Sequence, residues 1–198
     1  MPKIVDKEKM KEEILQASLN AFLKYGFHNT TMAKIAQEAG IAKGTLYLYF
    51  DSKEALSIAF AKKHFTSLET RLMNQKSFTS LDALLEHIKK TLMVKEEDVK
   101  FIPVFFEVFG PSFHSKEFRT AIADFFNNMG LFYTKVFMDL IEKGELQTDV
   151  EPKALGRVLV SMLDGIILHY GLFSIPNISY TQMVDEALDL IKRGLLKS

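Results

Sequence analysis

The chain has 198 residues, of which 47% are apolar, and its 25 basic residues balance its 25 acidic residues. This length allows one domain or two small ones, and the apolar share is sufficient for a core. The absence of cysteine excludes disulfide bonds and thiol-based redox sensing. No apolar signal segment opens the chain, so we expect a soluble, cytoplasmic protein without a membrane partner.

The charge is divided almost evenly along the chain. Residues 1–53 carry eight lysines against six acidic residues, and residues 54–198 carry seventeen basic against nineteen acidic residues. The resulting net charges of +2 and −2 are too small to indicate a polyanionic partner by themselves. Nucleic-acid binding must therefore be argued from a local motif.

A first helix is predicted over residues 7–25, where Leu15 and Phe22 belong to an apolar stripe at helical spacing. Gly26 follows as a helix-ending glycine, and Phe27 is expected to pack back onto the helix. This helix would support the segment that comes next.

Two short helices joined by a glycine turn are predicted between Thr30 and Leu56. The first has apolar residues at i, i+3, i+4 and i+7, with Thr31 as its N-cap. Gly40 stands where a helix ends in the left-handed conformation that glycine adopts without strain. The second helix begins at Lys43, so the pattern predicts a helix-turn-helix.

The second helix, over residues 43–49, has an outer side that is small, basic and aromatic. Lys43 can donate to guanine, Gly44 lets the backbone approach the bases, and Thr45 can bond a base or touch a thymine methyl group. Longer side chains at Tyr47, Tyr49 and Lys53 suit phosphate oxygens. With Thr31, these are the predicted DNA-binding residues: Thr31, Lys43, Gly44, Thr45, Tyr47, Tyr49 and Lys53.

This stretch resembles the DNA-binding segment of the TetR family of transcriptional repressors. Two positions depart from the family pattern. Ala42 stands where the family usually has Ser, which removes a hydroxyl that as a simple cap is worth roughly 1 kcal/mol, and Lys34 replaces a frequent acidic residue. The match is carried by Gly26, Thr30, Thr31, Ile35, Ala36, Ala39, Gly40, Lys43, Gly44, Tyr47, Tyr49, Phe50, Lys53 and Glu54.

A long helix is predicted after Asp51 and Glu54, whose spacing is that of a capping box. In the family pattern this helix connects the DNA-binding head to the body. Another helix is predicted over residues 80–94, and the acidic Glu96, Glu97 and Asp98 form a loop or the start of a helix.

Phenylalanine is concentrated between residues 101 and 137, which contain ten of the seventeen in the chain. Two interpretations remain open, an aromatic core and a pocket for an apolar or aromatic ligand. The pocket interpretation predicts ligand contacts at Phe105, Phe109, Phe126 and His169. Further candidate polar groups are Glu107, Asn127, Asn128 and His87.

The last part of the chain predicts three helices. One runs from about Ser115 to Lys143 and ends at Gly144, and Pro152 fits the first turn of the next. Apolar faces in residues 152–174 and 180–196 either close the monomer core or form a four-helix bundle with a second copy. The resemblance favours the homodimer, and charged substitutions at Leu159 and Leu188 are expected to separate the protomers.

The sequence contains no motif typical of an enzyme active site or a metal site. The five histidines are scattered, without HExxH spacing, and GxSxG, Walker and GxGxxG motifs are absent. We therefore expect no enzyme activity, no metal and no cofactor. Asp164 is expected at a helix crossing or a dimer seam rather than in catalysis.

The sequence thus predicts an all-α fold of about nine helices. Residues 1–53 would form a three-helix DNA-binding head, and residues 54–198 a ligand-binding and dimerisation body. The resemblance implies a sequence-specific regulator of transcription, a repressor released from operator DNA by an apolar or aromatic small molecule. The alternative is a helical small-molecule-binding protein or enzyme with a vestigial head, but the residues whose loss would indicate it are all present: Lys43, Gly44, Tyr47 and Lys53.

Overall fold

The structure is a computed structural model, and it describes residues 6–75, 77–93, 101–146, 149–173 and 178–196. These residues form nine α-helices and a short 3₁₀ turn, Gly110–His114, with no strand among them. The all-helical prediction is confirmed, whereas the segment predicted at Glu96, Glu97 and Asp98 lies outside the described residues. The helices are α1 Lys7–Tyr25, α2 Met32–Glu38, α3 Lys43–Tyr47, α4 Lys53–Leu72, α5 Leu81–Leu92, α6 Phe101–Phe109, α7 Lys116–Glu142, α8 Pro152–Leu172 and α9 Tyr180–Leu195.

Two compact units make up the chain. The first consists of Met1–Phe65 and Pro103–Ala121, and the second of Thr66–Ile102 and Ile122–Ser198. The unit that contains the helix-turn-helix therefore also includes the first part of α4 and most of α6. The predicted division after residue 53 concerns DNA-binding and body roles, and it stays a prediction.

Helix α1 begins and ends where the sequence predicts. Asp6 caps its first turn by accepting from two backbone N–H groups at 3.1 Å. Gly26 follows with φ 74°, and the buried Phe27 packs back on Phe22 with ring centroids 5.2 Å apart. The expected packing of Phe27 is confirmed, and α1 packs on α2.

Helix α2 and its turn also follow the prediction. The Thr31 hydroxyl accepts from the backbone N–H of Lys34 at 3.3 Å and caps the helix. Gly40 has φ 65°, and the N–H of Ile41 donates to the carbonyl of Ala36 at 3.0 Å. This backward bond is that of a Schellman motif, so the glycine turn sets the direction of the next helix.

Helix α3 is shorter than predicted, because it ends at Tyr47 rather than Tyr49. Leu46 is fully buried and fixes the inner side of the helix. Ala42 occupies the N-cap position and supplies no side-chain cap, as its departure from the family pattern implies.

The predicted capping box at the start of α4 is wrong. The cap is Ser52, whose hydroxyl accepts from the backbone N–H of Ala55 at 3.0 Å. Its carbonyl accepts the first helical bond from Leu56 at 3.2 Å. Because α4 begins at Lys53, Ser52 occupies the N-cap position and Asp51 lies one residue outside it.

In the second unit, α9 packs on α5 and α8. Ion pairs join Lys89 to Asp185 at 2.5 Å and Lys192 to Asp82 at 2.7 Å, and the Tyr180 hydroxyl donates to the carbonyl of Leu92. All three contacts are polar and link α5 to α9.

Helices α7 and α8 approach each other closely at Gly156. A Cβ atom at this position would lie 2.7 Å from the carbonyl oxygen of Gly130 and 2.8 Å from the backbone nitrogen of Thr134. Real side chains do not tolerate such distances from backbone atoms, so the crossing requires glycine at position 156.

Helix α8 is both long and apolar. Its 21 residues reach a mean hydropathy of 1.3, and by length and composition they could cross a membrane. One such helix is a weak indication, since the core helix of a soluble protein has the same properties. Only 17% of this apolar window is buried within the single chain.

Candidate nucleic-acid interface

The outer side of α3 is available for DNA. Lys43 and Gly44 are exposed, Tyr47 is 43% exposed, and Thr45 is half-buried. Nothing lies within 4 Å of the place that a side chain at Gly44 would occupy. The Lys43 ammonium lies 5.8 Å from the centroid of the Tyr47 ring. A cation, an aromatic ring and a bare stretch of backbone therefore share one surface, as base contact in a major groove requires.

The structure leaves Thr31 and Tyr49 in positions compatible with phosphate. Thr31 is exposed and Tyr49 half-buried. The Thr31 oxygen accepts one bond as the cap of α2, and a hydroxyl in this role still has its proton to donate. Capping and phosphate contact can therefore coexist at Thr31.

Two lysines beside the helix-turn-helix are held by contacts within the first unit. Lys34 donates to the carbonyl of Asn29 at 2.9 Å, with its ammonium 4.6 Å from the centroid of the Tyr25 ring. Lys24 lies 3.9 Å from a carboxylate oxygen of Glu38, and a hydrogen bond with Tyr25 raises the pKa of its ammonium. These contacts order the positive charges around α2.

The predicted ligand residues of the first unit belong to a packed aromatic cluster. The rings of Phe105 and Phe109 have centroids 4.4 Å apart. Phe109 is fully buried, and it stacks on Phe60 at 6.0 Å and on Phe118 at 5.6 Å. This packing corresponds to the aromatic-core interpretation, while ligand contact at these residues stays a prediction.

The other two predicted ligand residues lie in the second unit. Phe126 is half-buried, with its ring edge-on to Phe125 at 5.2 Å. His169 is exposed, and its ring meets Phe173 edge-on at 5.7 Å. Both side chains retain surface that a small molecule could contact, and their role stays a prediction.

Several polar groups proposed for the pocket have partners in the protein. Asn128 donates to Glu69 at 3.0 Å, and Asn127 accepts from Arg157 at 2.5 Å. The His87 ring lies 5.2 Å from the ring of Phe78.

Two surface cavities, of ≈ 380 and ≈ 410 Å³, involve none of the four predicted ligand residues. The first is lined by Thr66, Glu69, Thr70, Met73 and Asn74, and the second by Ile178, Gln182, Met183, Asp185 and Glu186. In the part of the chain that the structure describes, no three His, Asp or Glu side chains are grouped to hold a metal ion.

The helix-turn-helix has clear relatives among known proteins. A sequence model of the family described as "Bacterial regulatory proteins, tetR family" matches residues 14–60. The HTH-type transcriptional regulator RutR of Escherichia coli (strain K12) is 40% identical over 87 residues, which are 44% of this chain and 40% of RutR. The helix-turn-helix of this chain is that of the TetR family.

The similarity extends beyond the head at lower identity. YfiR of Bacillus subtilis (strain 168), an uncharacterized HTH-type transcriptional regulator, is 27% identical over 166 residues, covering 81% of this chain and 80% of YfiR. The crystal structure of a TetR transcription regulator from Haloarcula marismortui has a TM-score of 0.81 at 20% identity, covering 96% and 100% of the two chains. The protein is thus a DNA-binding transcriptional regulator with the TetR fold.

The structure gives Lys53 a structural role in this TetR-family head, beside the phosphate contact predicted for it. Its ammonium group donates to the carbonyls of Phe27 at 2.6 Å and Thr30 at 3.1 Å, and it lies 4.2 Å from the centroid of the Phe27 ring. An ammonium has three protons, so two are used inside the protein. Lys53 is therefore a structural link between α4 and the α1–α2 turn, and its phosphate contact stays a prediction.

Glu107, a candidate polar group for the pocket, has a structural contact within the first unit, and its contact with a ligand stays a prediction. Its carboxylate accepts from the backbone N–H of Phe27 at 2.8 Å. A Cβ atom at Gly26 would lie 2.9 Å from the same carboxylate oxygen. Glycine is therefore required at position 26 for two reasons, the positive φ and the close approach of Glu107 on α6. No local pattern in the sequence indicates this contact.

Proposed function

We propose that this regulator is a cytoplasmic homodimeric repressor, released from a palindromic operator when an apolar or aromatic small molecule binds. The observation that carries the proposal is an exposed apolar stripe on α8 that the single chain leaves uncovered. Val158 in this stripe is 61% exposed. The stripe consists of apolar and small residues at spacings of three or four, namely Ala154, Val158, Ser161, Gly165, Leu168 and Leu172.

Helix α9 supports the same arrangement. Leu190 is 68% exposed, and with its neighbours it forms a second stripe of apolar and small residues, Met183, Ala187, Leu190 and Gly194. Two such helices from each protomer can form a four-helix bundle about a two-fold axis. The stripe on α8 also explains why this helix is apolar enough to resemble a membrane span.

The residues first expected at the dimer seam are not suitable for its test. Leu159 and Leu188 are buried within the single chain. A charge at either position would be placed in the core, so loss of the dimer could not be distinguished from unfolding. The outward-facing Val158 and Leu190 are the appropriate positions.

Dimerisation bears directly on operator recognition. A two-fold protein presents its two recognition helices to half-sites related by the same symmetry, so their centres should be about one helical turn, or a multiple of it, apart. The TetR family consists typically of dimeric repressors, which favours repression over activation.

Release by a ligand requires that the ligand distinguish two conformations. A molecule that binds both equally shifts nothing, whereas a coupling of about 1–3 kcal/mol reduces operator affinity by about 5- to 150-fold. The half-buried Phe126 and the exposed His169 support an apolar or aromatic ligand with a polar edge.

The proposal is tested in two steps. Selection of bound duplexes from random DNA should yield a palindrome, and footprinting should show equal protection of its halves. A panel of apolar, aromatic and strongly polar compounds is then added to the complex, and only members of the first two groups should release the DNA. Binding without sequence preference would favour the alternative of a helical small-molecule-binding protein with a vestigial head.

Repression itself is tested with a reporter gene whose promoter overlaps the selected palindrome. Expression of the protein should lower transcription, and the releasing compound should restore it. An increase in transcription on expression would show an activator instead.

A further inference from the structure

Leu48 is the most exposed large apolar side chain among the described residues, at 83%. It directly follows α3 and has helical backbone angles, φ −69° and ψ −18°. A single exposed leucine on a protein surface requires no explanation in general. This leucine differs because it directly follows the helix that carries the predicted DNA-binding residues.

The direction of the Leu48 side chain follows from helix geometry. Each helical residue turns the chain by about 100°, so Leu48 lies about 200° from Leu46, two residues earlier. Because Leu46 is fully buried, Leu48 lies on the opposite, outward side. Gly44 is four residues before Leu48 and therefore on the same side.

The residues around Leu48 leave its side chain accessible. Gly44 has no side chain and no neighbour within 4 Å of where one would be. Tyr47, next in sequence, is 43% exposed. The leucine methyl groups are therefore accessible on the outer side of α3, next to the open space beside Gly44.

The chemistry of leucine limits what it can recognise. It has no hydrogen-bond donor or acceptor, so it cannot bind phosphate oxygens or the polar edges of bases. The one apolar group that distinguishes a base pair in the major groove is the C5 methyl group of thymine.

We propose that Leu48 reads a thymine methyl group in each operator half-site and so determines sequence preference at that position. The proposal rests on the sequence-specific operator binding described above. It adds to that binding a contact that depends on the methyl group and on no hydrogen bond.

The test uses the full-length protein and the duplex selected from random DNA. Each thymine of the half-site is replaced in turn by deoxyuridine, in both halves at once, which removes only the methyl group. Dissociation constants are measured at one salt concentration for the wild type, for Leu48→Ala, and for Leu23→Ala. Leu23 is a 50% exposed leucine on α1 and serves as the matched control.

At one thymine position, deoxyuridine should weaken binding of the wild type and of Leu23→Ala by about tenfold, or 1.4 kcal/mol. Leu48→Ala should bind the two duplexes equally, with the affinity of the wild type for the deoxyuridine duplex. The circular dichroism of both variants should match that of the wild type, since each side chain is exposed.

Two results would overturn the assignment. Leu48→Ala could respond to every replacement as the wild type does, or it could lose affinity equally for cognate and scrambled DNA, as expected for contact with the sugar backbone. Failure of the wild type to select any preferred sequence would instead refute the proposed operator binding, so the two failures are distinguishable.

Discussion

The lysines assigned to DNA from the sequence, Lys43 and Lys53, occupy different environments in the structure. Lys43 is exposed on α3, and its ammonium has only the Tyr47 ring near it among the described contacts. The Lys53 ammonium donates hydrogen bonds to the carbonyls of Phe27 and Thr30. The same side-chain type therefore supports different functions, and substitutions should separate them.

Substitution of Lys43 by Ala should weaken specific binding by about 1–3 kcal/mol and relax base preference, while the free energy of unfolding stays unchanged. Lys53→Met should lower the free energy of unfolding by about 1–2 kcal/mol, because two charge-assisted bonds are lost. Fluorescence anisotropy on cognate and single-base variant duplexes, with urea unfolding of each protein, measures both. If Lys53→Met left stability intact and lowered the salt slope by about one, Lys53 would be a phosphate contact instead.

At the scale of elements, the α1–α2 turn is held by α6 and α4 within the first unit. Phe27 is the common partner, since its N–H donates to Glu107 and its carbonyl accepts from Lys53. The aromatic cluster around Phe109 packs these helices further. A tryptophan at Phe109 would therefore overpack the unit that contains the head, so it is no clean test of ligand binding.

Removal of the Glu107 carboxylate should destabilise the protein through this turn. Glu107→Ala leaves the N–H of the buried Phe27 without its acceptor, which costs about 1–2 kcal/mol. Glu117→Ala is the control, because it breaks only an exposed ion pair with Lys62, worth about 0–1 kcal/mol. Urea unfolding of both variants measures the difference, and equal effects would mean that the Glu107 contact contributes nothing beyond a surface pair.

Helix α8 carries a carboxyl group, Asp164, that burial affects. Burial raises its pKa above the ordinary value of 3.8. The folded state then holds the proton more tightly than the unfolded state does. The stabilising contribution is fully present below pH 3.8 and is lost as the pH rises through the folded-state pKa.

Replacement of this carboxyl by an amide should remove the contribution of Asp164 to the pH dependence of the free energy of unfolding. Asp164→Asn is expected to be more stable than the wild type at pH 7 and equally stable below pH 3.8. Urea unfolding at constant protein concentration over this pH range measures the effect. A variant destabilised at pH 7 would contradict this prediction, because it would show that the ionised carboxylate has a stabilising partner.

At the scale of the whole molecule, the apolar stripes of α8 and α9 determine the proposed assembly. Val158 and Leu190 face outward, whereas Leu159 and Leu188 face the core of the second unit. Homodimers are typical of the TetR family, so a second copy of the chain is the proposed partner. The two kinds of position can be separated by substitution.

Charges on the outward stripes should separate the protomers without unfolding them. The double variant Val158→Glu, Leu190→Glu is expected to sediment as a monomer with an unchanged helical spectrum, and to lose cooperative binding to the full palindrome. The matched control is Leu131→Glu, at a 57% exposed leucine on α7 outside both stripes, which should remain dimeric. A double variant that stays dimeric would place the interface elsewhere.

The amino-acid sequence by itself determined the helices, most of their ends and the helix-turn-helix. These features depend on bonds between near neighbours, such as those of Asp6, Thr31 and Gly40, so the local order of residues contains them. A near miss occurred where two caps competed, and Ser52 rather than Asp51 took the position.

Only the tertiary structure decided which contacts join distant parts of the chain. Glu107 meets Phe27 across 80 positions and Lys53 meets it across 26, and no periodic pattern encodes such pairs. The same holds for α8, whose apolar residues lie on most sides of the helix, so the sequence could not tell Val158 from Leu159. The packing of neighbouring helices makes that distinction, because it buries one side of each helix and leaves the other exposed.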